Sequence, residues 1–234
     1  MSKDVRPIGI IGAMDEEVKG LVAKLENPAC EEICGIKFYT GTIFSKEVVI
    51  AKCGVGKVFA AICTTAMIIR YNPRLIVNSG VGGALADGLR CTDTVIAEKL
   101  VQYDMDTSAL GDPVGLISGI NKVYFDADER AVSILDSAAK ELSITAMRGI
   151  VATGDRFVSS KEQRADILSN FPAAACEMEG GAVAHAAYVS GVPFCVVRAI
   201  SDGANSDSVL DYPAFLKIAV KNSEALTLAL VKGY

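Results

Sequence analysis

Residues 173–205 constrain this chain most. An apolar run, A-A-A-C, ends in E-M-E; a short helical segment follows, opening G-G-A-V-A-H; a second apolar run, F-C-V-V-R-A-I, then ends in S-D-G-A-N. Read as two buried strands with a helix between them, the stretch is a β-α-β unit. Both strand ends carry acids: Glu177 and Glu179 follow the first run, and Ser201 and Asp202 close the second. Ligands in α/β sheets sit at the carboxyl ends of strands. Carboxylates beside a core need a partner or a task. The stretch reads as an active site.

The rest of the chain supplies a sheet to put it on. Residues 8–13 (I-G-I-I-G-A) form a buried strand, and the next segment repeats apolar residues at helical spacing: Val18, Leu21, Val22 and Leu25. Asp15, Glu16 and Glu17 fall in that helix's first turn, where acids complement the dipole. That accounts for two of them; Glu17 is the one placed to look into a site. Residues 36–44 and 48–53 flank the polar break S-K-E and predict a hairpin. Gly54 to Lys57 opens an Ala-rich helix reaching about residue 70. It resembles a dinucleotide fingerprint, but Phe59 stands where the third small residue belongs and the pattern fails. A strand over 75–81 runs into the cluster G-V-G-G, which reads either as a tight turn or as a backbone that approaches a ligand closely. Further strands are predicted over 93–101 and 149–153, and 104–121 reads as loop. Helices are predicted over 126–142, 161–169 and 212–232, the last with Phe215, Ile218, Ala219, Ala225 and Leu226 inward. Strands and helices alternate without a linker or a repeat, giving one α/β domain over residues 1–234.

Composition excludes several classes. With 51% hydrophobic residues and 22% charged, the chain can build a core and is not a disordered tail. A net charge of -5 argues against nucleic acid or an anionic membrane as partner. The N-terminus, M-S-K-D-V-R-P-I, lacks the apolar segment of a signal peptide, and no apolar run approaches a membrane span. The seven cysteines are scattered and odd in number, several within apolar runs, as in a cytoplasmic protein with reduced thiols. Cys30 and Cys34 make a poor zinc site without a second pair or a nearby histidine. The single histidine, His185, lies six residues beyond Glu179 and points away from it on a helix, which suits a core or interface role.

Taken together, I-G-I-I-G-A-M-D-E-E-V, C-G-V-G-K-V, N-S-G-V-G-G-A-L, T-G-D-R-F-V, C-E-M-E-G-G-A-V-A-H and V-V-R-A-I-S-D resemble the nucleoside phosphorylase superfamily. More narrowly, the chain is similar to the 5′-methylthioadenosine/S-adenosylhomocysteine nucleosidases, from about residue 8 to the final helix. The resemblance implies a three-layer phosphorylase-like sandwich with a mixed central sheet flanked by helices, usually a homodimer. It also implies hydrolysis of adenine thionucleosides, as in methionine salvage, with no metal or other cofactor. Asp202 then matches the acid that protonates purine N7, with Ser201 holding it. Glu17 matches the carboxylate that activates water, with Arg198 as its partner. Glu179 matches the group that bonds the ribose hydroxyls, and Met178 the apolar contact beneath the sugar. Phe157 and Val158 fall where adenine stacks and bonds, while Tyr212 and Val55 fall near the 5′-substituent. Met14, Val81, Gly82 and Glu177 complete the implied pocket.

Separated acids with different roles also suit cleavage of a glycosidic bond on chemical grounds. A phosphorylase would share the fold but needs cations or hydroxyls around phosphate. Arg198 is the one firm cation in the recognised motifs. A futalosine-type hydrolase and a catalytically silent nucleoside-binding module are the other readings. Three positions depart from the family pattern. Val81 stands where some relatives carry a polar residue. Gly180 and Gly181 replace alanines, at about 1 kcal/mol of helix stability each; either the backbone approaches something closely there or the pocket is mobile.

Overall fold

Strand β1 (Ile8–Gly12) sends Ile8 and Ile10 to one face and Ile11 to the other, and all three are fully buried. A strand with two apolar faces needs cover on both. Helices α2 (Lys57–Tyr71) and α5 (Gly180–Val189) cover one face through Ala60, Cys63, Met67 and Val183. Helices α1 (Asp15–Val22), α3 (Glu129–Glu141) and α6 (Ser208–Gly233) cover the other through Leu21, Leu135, Leu226 and Leu230. At about 1.5–3 kcal/mol for each large apolar side chain buried, these two layers drive the fold. The computed structural model describes residues 5–204 and 208–234. Met1 to Asp4, on which the signal-peptide reading partly rests, and Asn205 lie outside the described residues.

The remaining strands are β2 (Glu26–Ile33), β3 (Ile36–Ile43), β4 (Lys46–Lys52), β5 (Leu75–Ala84), β6 (Thr94–Gln102), β7 (Phe125–Asp126), β8 (Ala146–Thr153), β9 (Ala173–Glu177) and β10 (Phe194–Asp202). The sixth helix, α4 (Lys161–Asn170), packs Ile167 beneath the ends of β8 and β9. The sheet is mixed, with order β10-β6-β8-β9-β5-β1-β4-β3-β2. It is not fully open, because β5 also pairs with β10 in parallel, which closes β5, β10, β6, β8 and β9 into a ring.

The structure corrects the β-α-β reading of residues 173–205. Both strands and the helix are present, but β9 and β10 are not neighbours. The end of β5 stands between them, with Gly83 opposite both Cys176 and Asp202. The acids still meet, because β5 binds both strand ends. Other differences are local. Asp126 pairs with Lys99 in β7, so α3 starts later, capped by Asp128, whose side chain accepts the Ala131 amide. Ile218 is 50% exposed; the inward stripe of α6 is Ala219, Ser223, Leu226, Thr227, Leu230 and Val231. Strand β2 is absent from the sequence reading. It is an exposed edge strand carrying Pro28 and four acids or amides, and it has little apolar signal to find. Cys30 and Cys34 are exposed, Cys91 is partly exposed, and the other four cysteines are buried; all are free thiols.

Candidate active site

Glu17 is fixed by the start of α1. The N-cap position is Met14, which has no oxygen to offer the free amides of the first turn. Glu17 folds back instead: its Oε2 accepts the amides of Ala13 at 2.6 Å and Met14 at 3.0 Å, and its Oε1 accepts the Val81 amide at 3.0 Å. Gly80 makes room, since a Cβ there would lie 2.4 Å from Glu17 Oε1. Gly80 and Gly83 are therefore strand residues whose missing side chains admit the carboxylates of Glu17 and Asp202, while Gly82 makes room for the Cys176 carbonyl. Burial raises the Glu17 pKa above its ordinary value, and Arg198 and the three amides offset part of the rise.

Beneath the acids lies Arg198, 1% exposed and carried inward by β10. Its Nε and Nη2 bond Glu177 Oε2, Nη2 also reaches Asn78 Oδ1, and Nη1 donates to the Asn78 carbonyl at 3.3 Å. Glu177 also accepts the Thr153 hydroxyl and the amides of Glu179 at 3.0 Å and Gly180 at 2.7 Å. A buried ion pair satisfied this fully is a structural post, and removing one partner strands a charge. The glycines of α5 belong to the same post. A Cβ on Gly181 would lie 2.9 Å from Gln102 and Thr153, and one on Gly180 3.1 Å from Glu177 Oε2, so the backbone does approach its neighbours closely.

Glu179 is held differently. Its Oε1 accepts the Gly56 amide at 2.8 Å, while Arg198 stays 4.0 Å from its Oε2. Burial, with the nearby Glu177 charge, pushes its pKa up to about 7 against the pull of Arg198. Asp202, at the end of β10, accepts the Ser201 hydroxyl at 3.0 Å and the Ala204 amide at 2.9 Å. The second bond is the local cap that acids often make, and it fixes the carboxyl group at the cavity wall.

These groups line one cavity of about 410 Å³. Met14, Glu17, Val55, Val81, Gly82, Phe157, Val158, Glu177, Met178, Glu179, Ser201, Asp202 and Tyr212 all line it. Arg198 does not; it lies behind the wall, bonded to Glu177 and 4.0 Å from Glu179. Phe157 and Tyr212 meet edge-to-face at 5.9 Å across the rim, and burial with nearby acids pushes the Tyr212 pKa up to about 12. Sequence reasoning missed Ala13, Gly83, Cys176 and Arg156. Arg156 is a lining cation inside the quoted T-G-D-R-F-V motif, so Arg198 is not the motifs' only one. His185 lies outside the cavity, stacked on Phe125 at 5.4 Å, with its pKa lowered by burial.

Comparison with known proteins agrees with this fold. A sequence profile of the phosphorylase superfamily matches residues 7–232. A 5′-methylthioadenosine/S-adenosylhomocysteine nucleosidase of Shewanella halifaxensis is 39% identical over 227 residues, 96% of this chain and 98% of that protein. The Neisseria meningitidis nucleosidase of the same name, solved with methylthio-immucillin-A, superposes with a TM-score of 0.95 at 31% identity, over 98% of this chain and 100% of that one. A futalosine hydrolase of Helicobacter pylori superposes with a TM-score of 0.94 at 34% identity, over 100% of both chains. This chain belongs to the phosphorylase superfamily, among its 5′-methylthioadenosine/S-adenosylhomocysteine nucleosidases, and is an N-glycosidic hydrolase.

Proposed function

We propose that the enzyme hydrolyses the N-glycosidic bond of 5′-methylthioadenosine and S-adenosylhomocysteine, releasing adenine and the 5′-thioribose. One observation carries the reading: Glu17, held by three backbone amides, shares a single cavity with Asp202 and Glu179. Asp202 donates its proton to purine N7, and adenine leaves as the sugar gains cation character. Glu17 takes a proton from the water that adds to C1′; its raised pKa makes it a better base than an exposed glutamate. Glu179 accepts from the ribose hydroxyls, Met178 packs beneath the sugar, and Phe157 stacks on adenine beside the Val158 backbone. Tyr212 and Val55 meet the 5′-substituent. Water is favoured over phosphate because Arg198 is committed to Glu177, and Arg156 is the one lining cation among the described residues.

A second reading, futalosine-type hydrolysis, draws on full-length likeness to the H. pylori enzyme. A single set of assays separates them. Methylthioadenosine incubated in phosphate-free buffer should yield adenine and free methylthioribose, with no acceleration by phosphate. The specificity constant for methylthioadenosine should exceed that for methylthioinosine by about 100-fold or more, since a 6-oxo base leaves the Asp202 carboxylate facing a lone pair. Methylthioribose 1-phosphate as the main product would overturn hydrolysis of this substrate. Comparable constants for the two bases would favour the futalosine reading.

The same proposal includes a homodimer in the cytoplasm. Val58, Phe59, Ile62 and Ile69 are 70%, 54%, 40% and 80% exposed along α2 beside rim residue Val55, a surface a second copy would cover. Light scattering that reports a monomer at micromolar concentration would remove that part.

A further inference from the structure

Helix α2 begins without a cap of its own. Its N-cap is Gly56, which has no side chain, and its first turn holds no acid. Two carboxylates from distant parts of the chain fill the place. Asp155 Oδ1 accepts the Lys57 amide at 2.8 Å, and Glu179 Oε1 accepts the Gly56 amide at 2.8 Å. Free amides and the positive end of the helix dipole favour both. Asp155 is held in turn, for its own amide donates to Asp104 Oδ2 at 3.0 Å. The Lys57 ammonium closes the circuit on Asp104 Oδ1 at 2.6 Å. Gly56 has φ 100°, and a Cβ there would lie 3.1 Å from Asp155 Oδ1, so only glycine fits this junction without strain.

The circuit joins three segments that each serve the cavity differently. Lys57 starts α2, Asp104 follows β6, and Asp155 follows β8 directly before Arg156 and Phe157 of the rim. None of Lys57, Asp104 or Asp155 lines the cavity. Their reach into it is through Gly56, whose amide is the one hydrogen-bond donor the structure gives the Glu179 side chain among the described residues. We propose that Asp155, with Asp104 and Lys57, is a positioning unit. It pins the start of α2 so that the Gly56 amide turns Glu179 toward the ribose hydroxyls, in register with Phe157 on the base. This rests on the role given to Glu179 above and extends it to residues outside the pocket.

The test compares methylthioadenosine with its 3′-deoxy analogue in four proteins: wild type, Asp155→Ala, Asp155→Asn and Glu179→Gln. Wild type should prefer the hydroxylated substrate. Asp155→Ala should shrink that preference about tenfold, through KM more than kcat, because the charge-assisted bond that orients α2 is gone. Asp155→Asn keeps an acceptor for the Lys57 amide and should recover the preference to within about threefold. A merely structural loss would slow both substrates alike and leave their ratio unmoved. If Glu179→Gln collapses the ratio while Asp155→Ala keeps it, the positioning unit is overturned and the role of Glu179 stands. If Glu179→Gln keeps the ratio, Glu179 does not grip the sugar, and both ideas fall.

Discussion

The floor of the cavity and its rim are built by opposite rules. On the floor, Arg198, Glu177, Asn78 and Glu17 are all buried, and each polar group is met by several others or by backbone amides. At the rim, Phe157 is 44% exposed and Val55 52% exposed, and they touch few polar partners. Glu177 and Glu179 mark the border. They stand two residues apart on one strand end, yet one is locked to a guanidinium and the other rests on a single amide. The difference teaches where the freedom lies. Charges that must hold a fixed orientation are saturated from below, while surfaces that must admit a ligand are left open.

Four substitutions test that contrast. The largest effect is expected from Glu17→Gln, which keeps the shape and leaves one oxygen for the Ala13 and Met14 amides, at the loss of the Val81 bond, but removes the base. Turnover should fall about 10³-fold while binding of a non-hydrolysed analogue, measured by calorimetry, stays close to wild type. Substantial turnover at saturation would take Glu17 out of the mechanism. Next, Arg198→Met strands Glu177 in the interior and should cost about 3–5 kcal/mol in urea unfolding. A loss below about 1 kcal/mol would mean the floor is not saturated as described.

The third test reads the border residue through pH. Glu179 has a pKa near 7 when folded, against an ordinary value of 4.5. The folded state thus holds its proton more tightly. Its stabilising contribution is complete below the unfolded value and is lost as pH rises through 7. Glu179→Gln lacks this dependence, so relative to wild type it should gain roughly 3 kcal/mol between about pH 4 and pH 8. A stability difference that stays flat with pH would place the Glu179 pKa in the ordinary range. The smallest effect belongs to the rim: Phe157→Leu should raise KM about threefold to tenfold and shift stability by less than about 0.5 kcal/mol. A large loss of stability there would erase the distinction between rim and floor.

The floor was largely legible in the sequence, because buried strands that end in acids leave a strong local signal. Glu17 stood out among three first-turn acids, and β10 was readable from an apolar run that carries Arg198 and Asp202. The pairing of those strands was not readable. Nothing local reveals that β5 separates β9 from β10, since register across a sheet is set by partners far along the chain. The motif T-G-D-R-F-V hides a lining cation, Arg156, and Arg198, expected as the partner of Glu17, stands behind the wall bonded to Glu177. Asp155 carries no local signal, because its partner is an amide on another segment and a sequence scan for caps looks only nearby. Edge strand β2 carries too many polar residues to show a strand pattern.

The ring closed by β5 and β10 has a consequence for how the protein comes into being. The ribosome delivers β5 early and β10 near the end, with the middle of the chain between them. Until residues 194–202 emerge, β5 and β6 each lack the neighbour β10 supplies, and Glu17 and Glu177 lack their guanidinium. A chain stalled before that point presents unpaired strand edges, which invite association with other copies, and its last closure is a slow, non-local step. The catalytic centre is therefore completed late, with only α6 and its rim residue Tyr212 still to follow, and a nascent chain acquires its acids' counter-charge and its sealed sheet in one event.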